Sequence, residues 1–211
     1  MQKKDISKAV LKRLPGYLSY LKSIPEDAGP YISATGLANA LGMGEVQVRK
    51  DLAMVSNGGR PKIGYLRESL IEDISQFLGY DNTTDAILVG AGKLGQALLG
   101  YTGFAAYGLN ILAAFDVNPA VGEVEGKNIY PIDQLVTFCR QHKVLMGIIT
   151  VPVQNAQEVC DRLIKCGIKA VWNFAPTHLD VPEGILVQNE NMATSLAVLS
   201  MHLQAQIKDN K

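Results

Sequence analysis

The chain has 211 residues, with Lys+Arg and Asp+Glu balanced at 20 each and 47% apolar residues, which is enough for two small domains. Nowhere do 18 apolar residues run together, and the opening MQKKDISKAV lacks an apolar core of signal-peptide length, so a soluble cytoplasmic protein is expected. Cys139, Cys160 and Cys166 are odd in number and form no CxxC pair, which argues against a disulfide framework or a metal site. The charge is unevenly spread. Residues 1–70 carry 11 Lys+Arg against 6 Asp+Glu, and residues 71–211 carry 9 against 14. A basic module for a polyanion joined to a module of another kind fits that asymmetry.

In chain order, Val10, Leu11, Leu14, Leu18, Leu21 and Ile24 repeat at helical spacing, with Pro15 either kinking the segment or starting its main helix. Pro25 and Gly29-Pro30 end it. Ser33 is placed to cap a helix from Ala34 to about Leu41, which Gly42 stops, and Glu45 to about Val55 forms a third helix. Two helices joined by a tight glycine turn, with a preceding helix to pack on, describe a helix-turn-helix. In the third helix Val48, Leu52 and Val55 face the core, which leaves Gln47, Arg49 and Lys50 to reach base edges or phosphates in a major groove. Ser56 to Tyr65 reads as a cationic hairpin, a wing whose Arg60 and Lys62 track phosphates or enter a narrow minor groove. Leu66 to Leu78 is an amphipathic helix, and the polar segment Gly79 to Thr84 marks a boundary. A winged-helix domain over 1–80 is expected.

The stretch ILVGAGKLGQALLGY, Ile87 to Tyr101, follows. Ile87-Leu88-Val89 suits a strand buried on both faces, Gly90, Gly92 and Gly95 make GxGxxG, and Leu94 to Leu99 opens a helix. Such a turn brings backbone N–H groups and a helix N-terminus to a pyrophosphate. Ala91, Lys93 and Leu94 belong to the same turn. Asp116, 21 positions beyond Gly95 at the end of the run Leu109 to Phe115, can accept ribose hydroxyls and would repel a 2′-phosphate, favouring NAD(H) over NADP(H). Val117 lies beside it.

Val121 to Lys127 reads as a loop, Asn128 to Tyr130 as a short strand, and Ile132 to Gln141 as a helix opened by Pro131. Leu145 to Thr150 is a buried strand ending at Thr150-Val151-Pro152, and Asn155 to Lys165 is a helix. Lys169 to Trp172 is a strand leading into Asn173-Phe174-Ala175-Pro176. Both strand ends fall at the carboxyl edge of a parallel sheet, where ligands of such folds lie. Ile185 to Gln188 makes a last strand. The helix Asn191 to Ile207 is apolar on several sides, through Met192, Leu196, Leu199, Leu203, Ala193, Ala197, Val198 and Met201, and asks for the cover of a second subunit. The fold class is α/β: a winged helix-turn-helix over 1–80, a Rossmann-type parallel sheet with helices on both faces over 81–190, and a dimerisation helix over 191–211.

After these elements almost no chain remains for a substrate domain. The histidines are scattered, with only His178 near the expected crevice, so no catalytic residue is assigned and the dinucleotide reads as an effector. The alternative is an NAD-dependent oxidoreductase with an accessory nucleic-acid-binding domain.

Taken together, VRKDL at Val48 to Leu52, the glycine-rich wing ending Gly64-Tyr65, VGAGKLG, FDV at Phe115 to Val117, TVP at Thr150 to Pro152 and NFAP at Asn173 to Pro176 closely resemble the Rex family over nearly the whole chain. The resemblance implies a homodimeric transcriptional repressor that holds operator DNA when NADH is scarce and releases it when NADH binds. It also implies that the terminal helix is exchanged between subunits. Tyr101 and Met192 are expected to help sense the ligand. Departures from the family pattern are Ser19 where an Arg is usual, Asn191-Met192 where Asp-Phe opens the terminal helix, Gly44 in place of a hydroxyl cap, and Arg60-Pro61-Lys62-Ile63 where the wing usually has Arg-Gly.

Overall fold

The computed structural model describes residues 7–119 and 122–209. The first six residues, part of the opening expected to lack a signal-peptide core, and the loop position Val121 lie outside them. The chain divides into two compact units, one running to Asn82 with Ala106–Gly108, the other comprising Thr83–Ala105 and the chain from Leu109 onward.

In the first unit, α1 (Lys8–Ser23) starts at Ser7, whose hydroxyl accepts the Val10 N–H at 3.4 Å. The helix runs through Pro15, because the apolar face of Val10, Leu14, Tyr17, Leu18 and Leu21 is wholly buried. Burial of that stripe offsets the hydrogen bond lost to the proline ring. In α2 (Ala34–Leu41) Ser33 Oγ accepts the Gly36 N–H at 2.9 Å, and Gly42 ends the helix at φ +63°. Next come α3 (Glu45–Val55) and α4 (Arg67–Leu78), which bury Val48 and Leu52, and Leu70 and Ile74, in the same core. Two antiparallel strands close the unit, β1 (Tyr31–Ile32) and β2 (Tyr65–Leu66). The sequence reading has no strand at β1, since two residues are too few to show alternation. Between α3 and β2, Arg60 and Gly64 exchange backbone hydrogen bonds of 2.8 and 2.9 Å, which shapes the wing.

The second unit is a seven-stranded sheet: β3 (Thr84–Val89), β4 (Leu109–Asp116), β5 (Glu123–Val124), β6 (Lys127–Pro131), β7 (Met146–Ile149), β8 (Ala170–Asn173) and β9 (Leu186–Asn189). Their spatial order is β5-β6-β4-β3-β7-β8-β9, parallel throughout except for β5 against β6. Leaving out β5, this is the doubly wound order, with the chain reversing direction across the sheet at β3. Ala86 and Leu88 of β3 pack on one face with Leu99 of α5 (Lys93–Gly100). Ile87 and Val89 pack on the other face with α6 (Leu135–His142) and α7 (Val153–Lys165).

Two local expectations are corrected. The segment read as a loop before Lys127 contains β5, joined to β6 by a hairpin in which Glu125 (φ +49°) and Gly126 (φ +77°) both take left-handed conformations. The helix expected from Ile132 begins as a 3-10 turn, Ile132–Gln134, and becomes α-helical only at Leu135. The last element, α8 (Met192–Asp209), starts at Asn191, whose Oδ1 accepts the Thr194 N–H at 3.2 Å. Among the described residues no helix is long and apolar enough to cross a membrane.

Candidate functional sites: a nucleotide cleft and a cationic winged helix

The β3–α5 turn is held from both sides. Gly90 donates its N–H to the Phe115 carbonyl of β4 at 2.8 Å, and the Thr150 hydroxyl after β7 donates to the Gly90 carbonyl at 2.6 Å. Gly90 sits at φ +103°, and a Cβ there would meet the Thr150 backbone at 2.8 Å. A Cβ on Gly95 would strike the Gly90 carbonyl oxygen, so strand and helix approach this closely only without a side chain. Gly92 differs. A Cβ there would meet nothing within 4 Å, and the residue lines an open cavity of about 740 Å³. That space has the size of a small-molecule site.

The cavity gathers Gly90, Gly92, Leu94, Asp116, Val117, Thr150, Val151, Pro152 and Phe174, all singled out from the sequence. Asp116 is half-buried at the carboxyl end of β4. Its Oδ2 accepts the Ala91 N–H at 2.6 Å and its Oδ1 the Asn118 N–H at 2.8 Å. Each oxygen keeps a further lone pair for a ligand hydroxyl. Ala91 therefore takes part through its backbone. Gln96, not anticipated, donates its amide to the Ala91 carbonyl at 2.7 Å and ties α5 back onto the turn.

Other expected residues lie elsewhere. Lys93 is exposed at the first turn of α5, and Gly95 is buried beneath the turn. Asn173 is fully buried. It donates to the Ala175 and Thr177 carbonyls at 3.1 and 3.0 Å and to Asn189 Oδ1 at 2.8 Å, while its own Oδ1 accepts the Ala175 N–H at 3.0 Å. It shapes the turn that carries Phe174 and spends its polar atoms on its own chain. Tyr101 is 53% exposed and packs edge-on to Phe104, and Met192 is 65% exposed on α8. Neither lines the cavity. The cavity also takes in Asp133 of the 3-10 turn and Asn155, Glu158 and Arg162 of α7, which no sequence motif marks because their patterning is that of an ordinary surface. Arg162 and Glu158 pair at 2.7 Å, one turn apart on α7.

Burial pushes the Cys139 thiol up to about 12, helped by the neighbouring Cys166 thiol, and burial raises Cys160 as well. Both stay protonated and unreactive near neutral pH.

In the first unit, Gln47, Arg49 and Lys50 are exposed along α3, and Arg49 pairs with Glu45 one turn earlier. Arg49, Arg60 and Lys62 share one concavity with Ser33, Thr35 and Tyr65 of α2, its cap and β2. Gln47 and Lys50 lie outside it. Lys62 holds a left-handed backbone, φ +65°. The buried face of α3 carries a group that no sequence pattern marks, Asp51, which is 3% exposed. Arg13 of α1 donates to it twice, at 2.7 and 2.9 Å, and the Tyr17 hydroxyl donates to it at 2.8 Å. Burial, then the bond to Asp51, pushes the Tyr17 hydroxyl up to about 12, and the carboxylate raises the Arg13 guanidinium further. A charge so deep is retained only because it is fully paired.

Both units have counterparts among known proteins. Residues 5–53 match a family model described as "Putative DNA-binding protein N-terminus", and residues 81–177 match one described as a CoA binding domain. A redox-sensing transcriptional repressor Rex from Porphyromonas gingivalis is 40% identical over 92% of this chain and 90% of its own. Its counterpart in Clostridioides difficile is 40% identical over 93% of this chain and 95% of its own. The crystal structure of RSP in complex with β-NAD+ and operator DNA superposes with a TM-score of 0.88 at 34% identity, covering 99% of this chain and 97% of that one. RSP in complex with β-NADH gives 0.85 at 34% identity, covering 99% of this chain and 100% of that one.

Proposed function

Because the chain belongs to the Rex family of redox-sensing transcriptional repressors, we infer that it binds operator DNA and that the NADH/NAD+ ratio controls that binding, NADH causing release. The observation that carries this reading is the presence in one chain of a cationic winged helix and a glycine turn opening on a cavity with an acidic strand end.

A dinucleotide fits the residues present. Gly92 leaves open space at the N-terminus of α5, where backbone N–H groups and the helix dipole favour a pyrophosphate. Asp116 supplies acceptors for ribose hydroxyls and repels a 2′-phosphate. Thr150, Val151, Pro152 and Phe174 also line the cavity, and we assign them to the nicotinamide end. Asn173 supports that wall by holding the turn. Tyr101 and Met192 then act as ligand sensors only once a second subunit or a domain movement brings them in.

NADH and NAD+ differ by a hydride and by the positive charge on the nicotinamide. For the ratio to act, the two forms must bind the DNA-competent and DNA-released arrangements unequally; a coupling of about 1–3 kcal/mol changes operator affinity roughly 5–150-fold. On the DNA side Arg49, Lys50, Arg60 and Lys62 supply phosphate neutralisation, so affinity falls steeply with salt. Gln47 is the neutral reader among them.

The protein works as a homodimer. Met192, Leu196, Leu199, Leu203 and Ile207 of α8 are all more than half exposed in the single chain, an apolar surface that a second α8-bearing subunit covers. A two-fold dimer presents two recognition helices to half-sites about one helical turn apart. The dinucleotide serves as an effector and not as a redox substrate, and the cytoplasm, where operators and the NADH pool meet, is its place of work.

The deciding experiment titrates operator binding with NADH and with NAD+. NADH should weaken binding more than NAD+ does. Equal responses would remove the redox reading and leave a dinucleotide-bound regulator, and turnover of a small alcohol or hydroxy acid with NAD+ would restore the oxidoreductase.

A further inference from the structure

The Asp51 carboxylate fixes more than α1 against α3. Its two bonds to Arg13 use Nε–H and one terminal nitrogen, which locks the plane of the guanidinium. Gln47 precedes Asp51 by one helical turn and lies on the same side of α3. The end of its amide that faces Arg13, assigned as the oxygen because the NH2 would there meet a cation, lies 2.8 Å from one terminal nitrogen of Arg13, 3.0 Å from Nε and 3.2 Å from the other. An oxygen in the guanidinium plane can be near two of the three nitrogens at most. Near-equal approach to all three therefore places the oxygen over the cationic face. The opposite orientation would set the amide NH2 against a cation, so electrostatics fix the oxygen inward and the NH2 outward.

We propose that Arg13, held by Asp51, is a positioning residue that turns Gln47 into a donor-only reader selecting guanine over adenine at one operator position. This rests on the DNA-binding reading above. A free glutamine recognises adenine by accepting from N6–H and donating to N7, and it needs both ends of its amide in the groove. With the oxygen engaged over Arg13, only the NH2 group is presented. Two hydrogens on one nitrogen suit the base edge with two adjacent acceptors, guanine O6 and N7, and are opposed by the N6 donor of adenine. Arg13 itself has only 20% of its side chain exposed, so its effect on sequence preference passes through Gln47.

The test selects binding sites from random duplex DNA with the full-length protein and scores preference position by position. The wild type should prefer guanine at one position in each half-site. Gln47→Glu keeps an oxygen over Arg13 but removes the outward NH2, and should erase that preference alone, lowering the guanine-to-adenine ratio by about 5-fold or more. Arg13→Met, which removes the cation, should free Gln47 to accept adenine at the same position while NADH affinity stays unchanged. If Arg13→Met does not fold, the Gln47→Glu profile still decides the matter. A guanine preference that survives unchanged in Gln47→Glu would overturn the proposal, as would an adenine preference at its position in the wild type. Wild-type protein that selects no sequence at all would overturn the DNA-binding reading itself and this proposal with it.

Discussion

The two functional surfaces are built on opposite plans. At the β3–α5 turn the decisive atoms are missing ones. Gly90 and Gly95 let backbone pack on backbone, and the one glycine with free space around it, Gly92, is the one that lines the cavity. At the winged helix the decisive atoms are charged side chains, and the backbone yields to them. Gly64 is pressed against Ile32, yet the other left-handed position of the wing, Lys62 at φ +65°, carries a cation where a glycine would be unstrained. A site for a small ligand needs a fixed shape. A site for a polyanion tolerates strain in exchange for charge.

The largest effects should come from the glycine turn. Gly95→Ala places a methyl group into the Gly90 carbonyl, which costs about 3 kcal/mol of stability and abolishes NADH binding. Gly92→Ala should leave thermal unfolding unchanged while weakening NADH about tenfold, because its methyl occupies ligand space only. If both variants lose stability alike, the distinction between packing and ligand glycines at this turn is wrong; calorimetry and NADH titration read the two quantities separately.

Asp116→Ala comes next. It removes the acceptor of the Ala91 N–H together with the ribose acceptor. Loss of hydrogen bonds to a charged group, about 1.5–3 kcal/mol, should appear mainly as weaker NADH binding, with a small fall in unfolding temperature from the orphaned turn amide. An unchanged NADH affinity would move the ribose away from the end of β4.

On the cationic surface the expected signs oppose each other. Lys62→Gly should stabilise the protein by about 1 kcal/mol by relieving the left-handed backbone. It should also weaken operator binding and lower the slope of log affinity against log salt by about 1. A variant that gains stability without losing affinity would show that Lys62 touches no phosphate.

Most of this architecture can be read from the sequence because its elements are long enough to repeat. The helical stripe of α1 carries several turns of signal, the run before Gly90 is unbroken in its apolar character, and the glycine spacing with Asp116 carries the cleft. The features that carry no sequence signal are short or disguised. β1 and β5 are two residues each, too brief for a period, although Glu125-Gly126 between short flanks was the hairpin cue. Asp51 lies beside Arg49 and Lys50 and looks like one more solvated charge. Only the fold reveals that Arg13, 38 residues earlier, lies opposite it. Asn173 stands at a strand end, where a ligand group is expected, but a strand end also needs its own turn closed, and its amide is spent there.

The smallest predicted effect probes the buried pairing beneath α3. Tyr17 is held as a phenol up to about 12, above its ordinary value of 10, chiefly by burial and then by its bond to Asp51. With its folded value raised, the stability it contributes is complete below pH 10 and is lost as pH climbs through 12. Tyr17→Phe deletes the bond at 2.8 Å and should cost about 1 kcal/mol at neutral pH. The gap between wild type and variant should then narrow between pH 10 and 12, since only the wild type must hold a phenolate beside Asp51. Because Cys139 also titrates near 12 and is common to both proteins, its contribution cancels in that difference. A gap that stays constant across the window would mean that Tyr17 ionises as freely in the folded chain as in the unfolded one, and that its hydroxyl is not committed to Asp51.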